Sequence, residues 1–126
     1  MMGTYTDEEA KRYLKRLEEK YGSRFKRAMK AVEEGRVFRI KREYSKVDIW
    51  LVYGSKGKPY LVIPDKFCTC RDFYLNVLVR RKVDLCYHIL AQKIALRIGK
   101  YKEIAIDPLE DYKFFGKIIS EIMKRK

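Results

Sequence analysis

Three cysteines and one histidine form a single pattern that could bind a metal ion. Cys68 and Cys70 flank one threonine, fifteen residues follow, and Cys86 and His88 then flank one tyrosine. No other cysteine or histidine occurs in the chain. Three thiolates and one imidazole are a ligand set that zinc takes in tetrahedral structural sites. The pattern therefore predicts one structural Zn2+ bound by Cys68, Cys70, Cys86 and His88.

Other uses of these four residues explain the pattern less well. The odd number of cysteines argues against a disulfide framework. A catalytic pair of Cys86 and His88 stays open, although neighbours two apart at a helix start rarely reach the geometry of nucleophile and base. Free cysteines are also common as inert core residues. That last interpretation requires the close pairing of the four residues to be chance.

The spacing within each pair predicts a different backbone around it. Residues i and i+2 of a strand project to the same side, so we expect Cys68 and Cys70 at the end of a strand. Residues two apart do not share a face of a helix, so we expect Cys86 just before a helix and His88 in its first turn. The sequence from about 87 to 100 favours that helix, because it lacks proline and has Gly99 at its end.

The two pairs together resemble the signature of the SWIM-type zinc finger, which is Cys-x-Cys, a spacer, and Cys-x-His. The likeness covers about residues 60–101. It extends to Ala91, three residues after His88, and to the basic run Arg80-Arg81-Lys82 in the spacer. In this extended form, with Ala91 as part of the structural motif, the chain is similar to the small SWIM proteins of Shu-type recombination-mediator complexes.

That resemblance implies a non-catalytic adaptor in homologous recombination and DNA repair. The implied partner is a RecA-like recombinase paralogue, and the complex is expected to load or stabilise recombinase on DNA. The implied DNA is single-stranded or a recombination intermediate. A free-standing nucleic-acid-binding regulator is an alternative that the sequence leaves open, and so is a module that binds only proteins.

The segment before the finger predicts helices followed by a sheet. A capping box that begins at Thr6 and apolar residues at helical spacing predict a helix over about 7–20. A second apolar stripe predicts another helix that ends at Gly35. Alternating apolar residues then predict a three-stranded antiparallel sheet that leads to the first ligands, with strands over 37–44, 47–53 and 60–63.

The spacer and the C-terminus each contain a further helix signal. Asp72 is expected to cap a short helix in the spacer, and Asp107-Pro108 to open a C-terminal helix. The sequence therefore predicts an α+β fold in a single domain, 1–126. Its predicted parts are an N-terminal helix pair, a three-stranded sheet with the zinc finger and its helix, and a C-terminal helix, over 1–35, 36–101 and 102–126.

The chain is strongly basic, with 30 basic and 17 acidic residues and a formal net charge of +13. The segment 68–102 is the most basic part, with 8 basic and 2 acidic residues. This concentration favours a nucleic acid as partner, although a solubilising surface, an acidic protein and membrane lipids are alternatives. We expect Trp50 and most tyrosines to pack in the core rather than stack on bases. The residues predicted to contact nucleic acid are Arg71, Arg80, Arg81, Lys82, Lys93, Arg97 and Lys100.

Motifs of common enzymes do not fit the sequence. Zinc deaminases carry a glutamate two residues after a histidine ligand, whereas Leu90 lies at that distance from His88. The turn that contains Gly54 and Lys58 lacks the spacing of a P-loop. We therefore expect no catalytic activity and no small-molecule substrate. Because no stretch of 18 apolar residues occurs, we expect an intracellular protein of the cytoplasm or nucleoid that does not interact with membranes.

Overall fold

The computed structural model describes residues 7–42, 46–106 and 111–123. They form an α+β fold, as the sequence predicts, with helices on both sides of a mixed sheet. The elements in chain order are α1 (Asp7–Tyr21), α2 (Ser23–Glu33), β1 (Val37–Lys41), β2 (Ile49–Tyr53), β3 (Pro59–Ile63), β4 (Phe67–Cys68), a π-helical segment (Phe73–Val79), α3 (Tyr87–Ile98), β5 (Lys102–Ala105) and α4 (Asp111–Met123).

The two N-terminal helices follow the apolar spacing of the sequence. The break between α1 and α2 falls at Gly22, whose φ of 58° favours glycine. The α2 helix buries Phe25, Ala28 and Val32, which lie three and four residues apart on one face. It makes its main helix contact with α3. The predicted capping box begins at Thr6, which lies outside the described residues.

The sheet has five strands in the order β4-β3-β2-β1-β5, so the predicted three-stranded sheet is incomplete. The predicted strands are β1, β2 and β3, which pair antiparallel. Two strands are additional to the three with predicted bounds, although a strand end at Cys68 was expected. The strand β4 has only two residues, too few to show alternation, and β5 pairs in parallel with β1 at the other edge. The segment 102–126 therefore begins with a strand and is not only helical.

Both faces of the sheet are covered, and β2 shows how its residues divide between them. Trp50 and Val52 belong to the larger core, which also contains α2 and α3 residues. Leu51 points to the other face and joins a smaller core with Ile118 of α4. Alternate residues of a strand face opposite sides, which explains this division. Trp50 is fully buried, as expected, and is unavailable as a stacking platform for bases.

The C-terminal helix begins at Asp111 and ends at Met123. Its predicted start at Asp107-Pro108 lies outside the described residues. Phe114, Phe115 and Ile118 pack with the smaller core against the sheet face opposite α2 and α3. This arrangement leaves the metal-ligand pattern on the side of the larger core.

Candidate metal centre

The four predicted ligands converge at one point of the fold. The sulfurs of Cys68, Cys70 and Cys86 and a ring nitrogen of His88 all lie within 4.8 Å of one another. All four residues are buried. This spacing is near that of a single-ion site, because ligands about 2.0–2.3 Å from a tetrahedral zinc lie less than about 4.6 Å apart. The cluster could therefore bind one metal ion.

The backbone presents the two ligand pairs as the spacing predicts. Cys68 is the last residue of β4, with Cys70 two residues further on. Cys86 is the N-cap of α3 in an extended conformation, and His88 lies in the first turn. The helix ends at Gly99, whose φ of 74° gives the left-handed cap that glycine adopts without strain. The helix N-terminus also offers partial positive charge to thiolate ligands.

The hydrogen bonds around the cluster fit the chemistry of a metal site. Both ring nitrogens of His88 are buried and have no hydrogen-bond partner among the residues that the structure describes. Such buried polar atoms are costly unless something satisfies them, and a metal ion would satisfy one. The sulfur of Cys70 accepts the backbone N–H of Phe73 at 3.2 Å. The imidazole of His88 is therefore unsatisfied, and the sulfur of Cys70 accepts a hydrogen bond that would stabilise a thiolate.

Hydrogen bonds among the thiols shift their pKa values apart. The sulfur of Cys70 accepts hydrogen bonds from Cys68 and Cys86, and these lower the pKa of Cys70. Hydrogen bonding with the neighbouring sulfurs, together with burial, raises the pKa of Cys68. A metal ion would replace the shared protons, since thiolates rather than thiols are the ligands.

Aromatic rings pack around His88, and the ligand pattern does not indicate these contacts. The ring centroids of Tyr60 and Tyr87 lie 4.3 and 4.0 Å from that of His88. The guanidinium of Arg27 lies 4.3 Å from the Tyr87 ring centroid. Since these residues come from α2, β3 and α3, only the tertiary fold brings them together. They fix the plane of the imidazole and limit the access of water to it.

The spacer between the ligand pairs contains a helix, but one of a different type from the prediction. The segment Phe73–Val79 is π-helical, and the N–H of Arg80 donates to the carbonyl of Leu75, five residues before it. Asp72 makes no capping bond with its side chain. Its carboxylate instead accepts hydrogen bonds from Arg24 and Asn76, so it anchors the spacer to α2.

The residues predicted to contact nucleic acid lie in different surroundings. Lys93 is paired with Asp65 at 3.0 Å, and the Arg97 guanidinium lies 4.8 Å from the ring centroid of Tyr13. Arg80 donates to the side chain of Asn76 at 3.4 Å. The exposed members of the set whose side chains form no hydrogen bond, ion pair or ring contact with the described residues are Arg71, Arg81, Lys82 and Lys100.

Some of these basic residues line one cleft. Arg81 and Lys82 line a cleft of about 580 Å3 together with Lys20, Tyr21 and Asp84. Lys20 and Tyr21 both donate to the Asp84 carboxylate, at 3.4 and 3.0 Å. The sequence did not indicate that α1 contributes Lys20 to the same place, because 61 residues separate it from Arg81.

Ala91 lies one helical turn after His88 and is fully buried. It belongs to the same core cluster as the three cysteines. Three further alanines in that cluster, Ala28, Ala31 and Ala95, are also fully buried on α2 and α3. Small side chains allow helices to approach closely, and a larger residue at 91 would enter a core packed without free space.

Comparison with known proteins identifies no relative. No family model, no curated protein and no solved structure matches this chain. The resemblance to SWIM-type fingers therefore stays a prediction from the ligand pattern. Within the described residues, no helix is both long enough and apolar enough to cross a membrane.

Proposed function

We propose that the Cys3His cluster binds Zn2+ and that the metal has a structural role. Thiolate and imidazole ligands in a tetrahedral arrangement favour zinc over hard cations such as Mg2+ and Ca2+. Protein side chains supply all four ligands, whereas catalytic zinc sites keep one position for water or substrate. The ligands are also buried, so a substrate would have no approach to the ion. These features support a non-catalytic protein.

We further propose that this zinc protein is an adaptor in homologous recombination and DNA repair. It would bind a RecA-like recombinase paralogue and contact DNA through its basic residues. The observation that carries the proposal is the cluster itself, with one ligand pair after a strand and the other at a helix start. The order of the two pairs along the chain, Cys-x-Cys and then Cys-x-His, is that of the SWIM signature that the sequence resembles. The exposed, unpaired Arg71, Arg81 and Lys82 beside it support the DNA contact.

Affinity capture from native cell extract tests the adaptor role. The tagged, zinc-loaded chain is treated with nuclease and washed at moderate salt, and the bound proteins are identified against a tag-only control. A RecA-like ATPase in stoichiometric amount is the expected result, because adaptor binding does not depend on DNA. Recovery of no such ATPase would overturn the adaptor role.

A second candidate function is that of a free-standing nucleic-acid-binding regulator. The basic cleft lined by Lys20, Arg81 and Lys82 favours it, because three cations oppose one carboxylate there. A regulator is expected to bind DNA tightly and with sequence preference, and to retain binding at moderate salt. An adaptor is expected to bind DNA weakly when alone. A pure protein-interaction module is expected to show no loss of DNA association when Arg80, Arg81 and Lys82 are neutralised.

A further inference from the structure

The exposed apolar side chains of this protein are concentrated on the finger. In the part of the chain that the structure describes, seven large apolar side chains are exposed, and four of them lie between residues 67 and 79. Tyr74, Leu78 and Val79 on the π-helical segment are 60, 51 and 56% exposed, and Phe67 on β4 is 43% exposed. We call these four residues the apolar patch.

The π-helical geometry gathers three of the patch residues. Its hydrogen bonds join residues five apart, so residues four and five after Tyr74 lie near it on one face. In an α-helix, which turns by about 100° per residue, Val79 would lie about 140° around the helix from Tyr74. Phe67 adjoins the same segment, because its ring packs edge-on against Phe73 with centroids 5.5 Å apart. The patch therefore depends on the fold, because α-helical spacing would bring Tyr74 and Leu78 to one face but would not add Val79 or Phe67.

The surroundings of the patch are positively charged. Arg71 precedes Tyr74 by three residues, and Arg80, Arg81 and Lys82 follow Val79 directly, all of them exposed. Asp72 is the only acidic residue between 71 and 82, and its carboxylate is bonded to Arg24 and Asn76. An apolar centre with a basic rim is complementary to an apolar protein segment with an acidic rim.

Two other occupants fit these observations less well. A second copy of the chain would place two basic rims against each other, which like-charge repulsion disfavours. Single-stranded nucleic acid would match the charge and could stack on Tyr74. It would leave the aliphatic side chains of Leu78 and Val79 without a suitable partner, because bases stack on aromatic rings.

We propose that the apolar patch is the docking surface for a partner protein that presents apolar side chains flanked by Asp or Glu. The inference rests on the proposed adaptor function in so far as an adaptor must have such a partner. It adds the place of contact and the chemistry of the partner. Tyr74 and Leu78 are the anchors, and Arg71 and Arg80 are the rim that selects an acidic partner.

Direct binding to designed peptides tests the proposal. Two amphipathic helical peptides share one leucine face and differ only in flanking Glu or flanking Lys, and oligo(dT) serves as the nucleic-acid probe. We expect the zinc-loaded chain to bind the Glu peptide at least tenfold more tightly than the Lys peptide. Amide chemical shifts in NMR spectra are expected to change around Tyr74 and Leu78. Equal binding of both peptides, binding of neither, or shifts there with oligo(dT) alone would overturn it.

Two leucine variants provide the matched comparison. Leu78→Asp is expected to weaken binding of the Glu peptide at least tenfold, whereas Leu96→Asp on α3 should change it less than twofold. Leu96 is 46% exposed, so this variant tests the same substitution at an exposed leucine outside the patch. Equal loss in both variants would contradict the patch as the site. Circular dichroism and zinc content check that both variants remain folded.

The same variants separate this inference from the adaptor function. In the capture experiment, a protein that binds wild type and Leu96→Asp but not Leu78→Asp supports the docking surface together with the peptide result, whatever that protein is. If it is not a RecA-like ATPase, the adaptor function fails and the docking surface stands. If a RecA-like ATPase binds all three forms equally, the adaptor function stands and the docking surface fails.

Discussion

Arg24 on α2 donates two hydrogen bonds to the carboxylate of Asp72, at 2.9 Å from Nη2 and 3.3 Å from Nε. Asn76 donates to the same carboxylate at 2.6 Å, and the backbone carbonyl of Asn76 accepts the N–H of Lys82. Burial opposes ionisation of Asp72, but these hydrogen bonds outweigh it and lower the pKa of the carboxyl. The pair therefore connects α2 to the spacer and, through Asn76, to the basic run.

Removal of this connection should destabilise the protein. Arg24→Ala is expected to lower the free energy of unfolding by about 1–2 kcal/mol, because Asp72 loses charged hydrogen bonds in a partly buried place. Urea unfolding of the zinc-loaded chain measures the change. Lys20→Ala is the control, since the Lys20–Asp84 pair is about 60% exposed on both sides and is expected to contribute less than about 1 kcal/mol. Equal losses in the two variants would contradict the anchoring role.

Measurement of the metal content tests whether the cluster binds zinc. One equivalent of zinc per chain is expected by elemental analysis, and Cys70→Ala should lose it because three ligands remain. Thr69→Ala is a close control, since Thr69 lies between two ligands but its hydroxyl accepts only the N–H of Leu61 in the sheet. Retention of one tightly bound zinc by Cys70→Ala, or purification of the wild type with another metal, would contradict the assignment.

Chelation should also unfold part of the protein. The ligands connect β4 to the start of α3, and binding energy at structural zinc sites is folding energy. Fluorescence of Trp50, which is fully buried in the larger core, reports the loss of packing. We expect its emission to shift to longer wavelength when zinc is removed and to recover when zinc is returned. An unchanged spectrum in the metal-free chain would show that the core forms without the ion.

The clustering of the three cysteines and His88 could be predicted from the sequence because each pair is a local pattern. Strand and helix geometry determine which neighbouring residues can bind one ion. Cys70 and His88 could therefore be predicted as candidate ligands without knowledge of the tertiary fold. Tyr87 precedes His88 on the same helix, but the contacts of the Tyr60 ring with His88 and of the Arg27 guanidinium with Tyr87 depend on packing between distant elements. Spacing along the chain carries no signal for such contacts.

In the fold, too, elements with a clear local pattern could be predicted and the others could not. Helices and the three central strands have enough residues to show their period, and their apolar positions agree with the two cores. The strand β4 is too short to show one, and β5 is an edge strand with Lys102 and Glu103 exposed. The π-helix could not be distinguished from an α-helix, because its apolar residues also occur at α-helical spacing up to Leu78.

The salt dependence of DNA binding should identify which basic residues contact phosphate. The double variant Arg81→Ala, Lys82→Ala is expected to reduce the slope of log K against log salt for oligo(dT) by roughly 1.4, about 0.7 for each lost contact. Lys93→Ala is the control, because Asp65 already pairs with that ammonium at 3.0 Å. An unchanged slope in the double variant would exclude the basic run as the phosphate contact.

Two glycines should respond to the same substitution with opposite sign. Gly99 terminates α3 at a φ of 74°, where alanine is strained, so Gly99→Ala is expected to lower the free energy of unfolding by about 1 kcal/mol. Gly116 lies within α4, where an added Cβ meets no atom within 4 Å. Gly116→Ala is therefore expected to raise the free energy of unfolding by about 0.5–1 kcal/mol, because alanine has the higher helix propensity. Urea unfolding of both zinc-loaded variants measures the difference, and destabilisation by both would show that α4 does not tolerate the added methyl group.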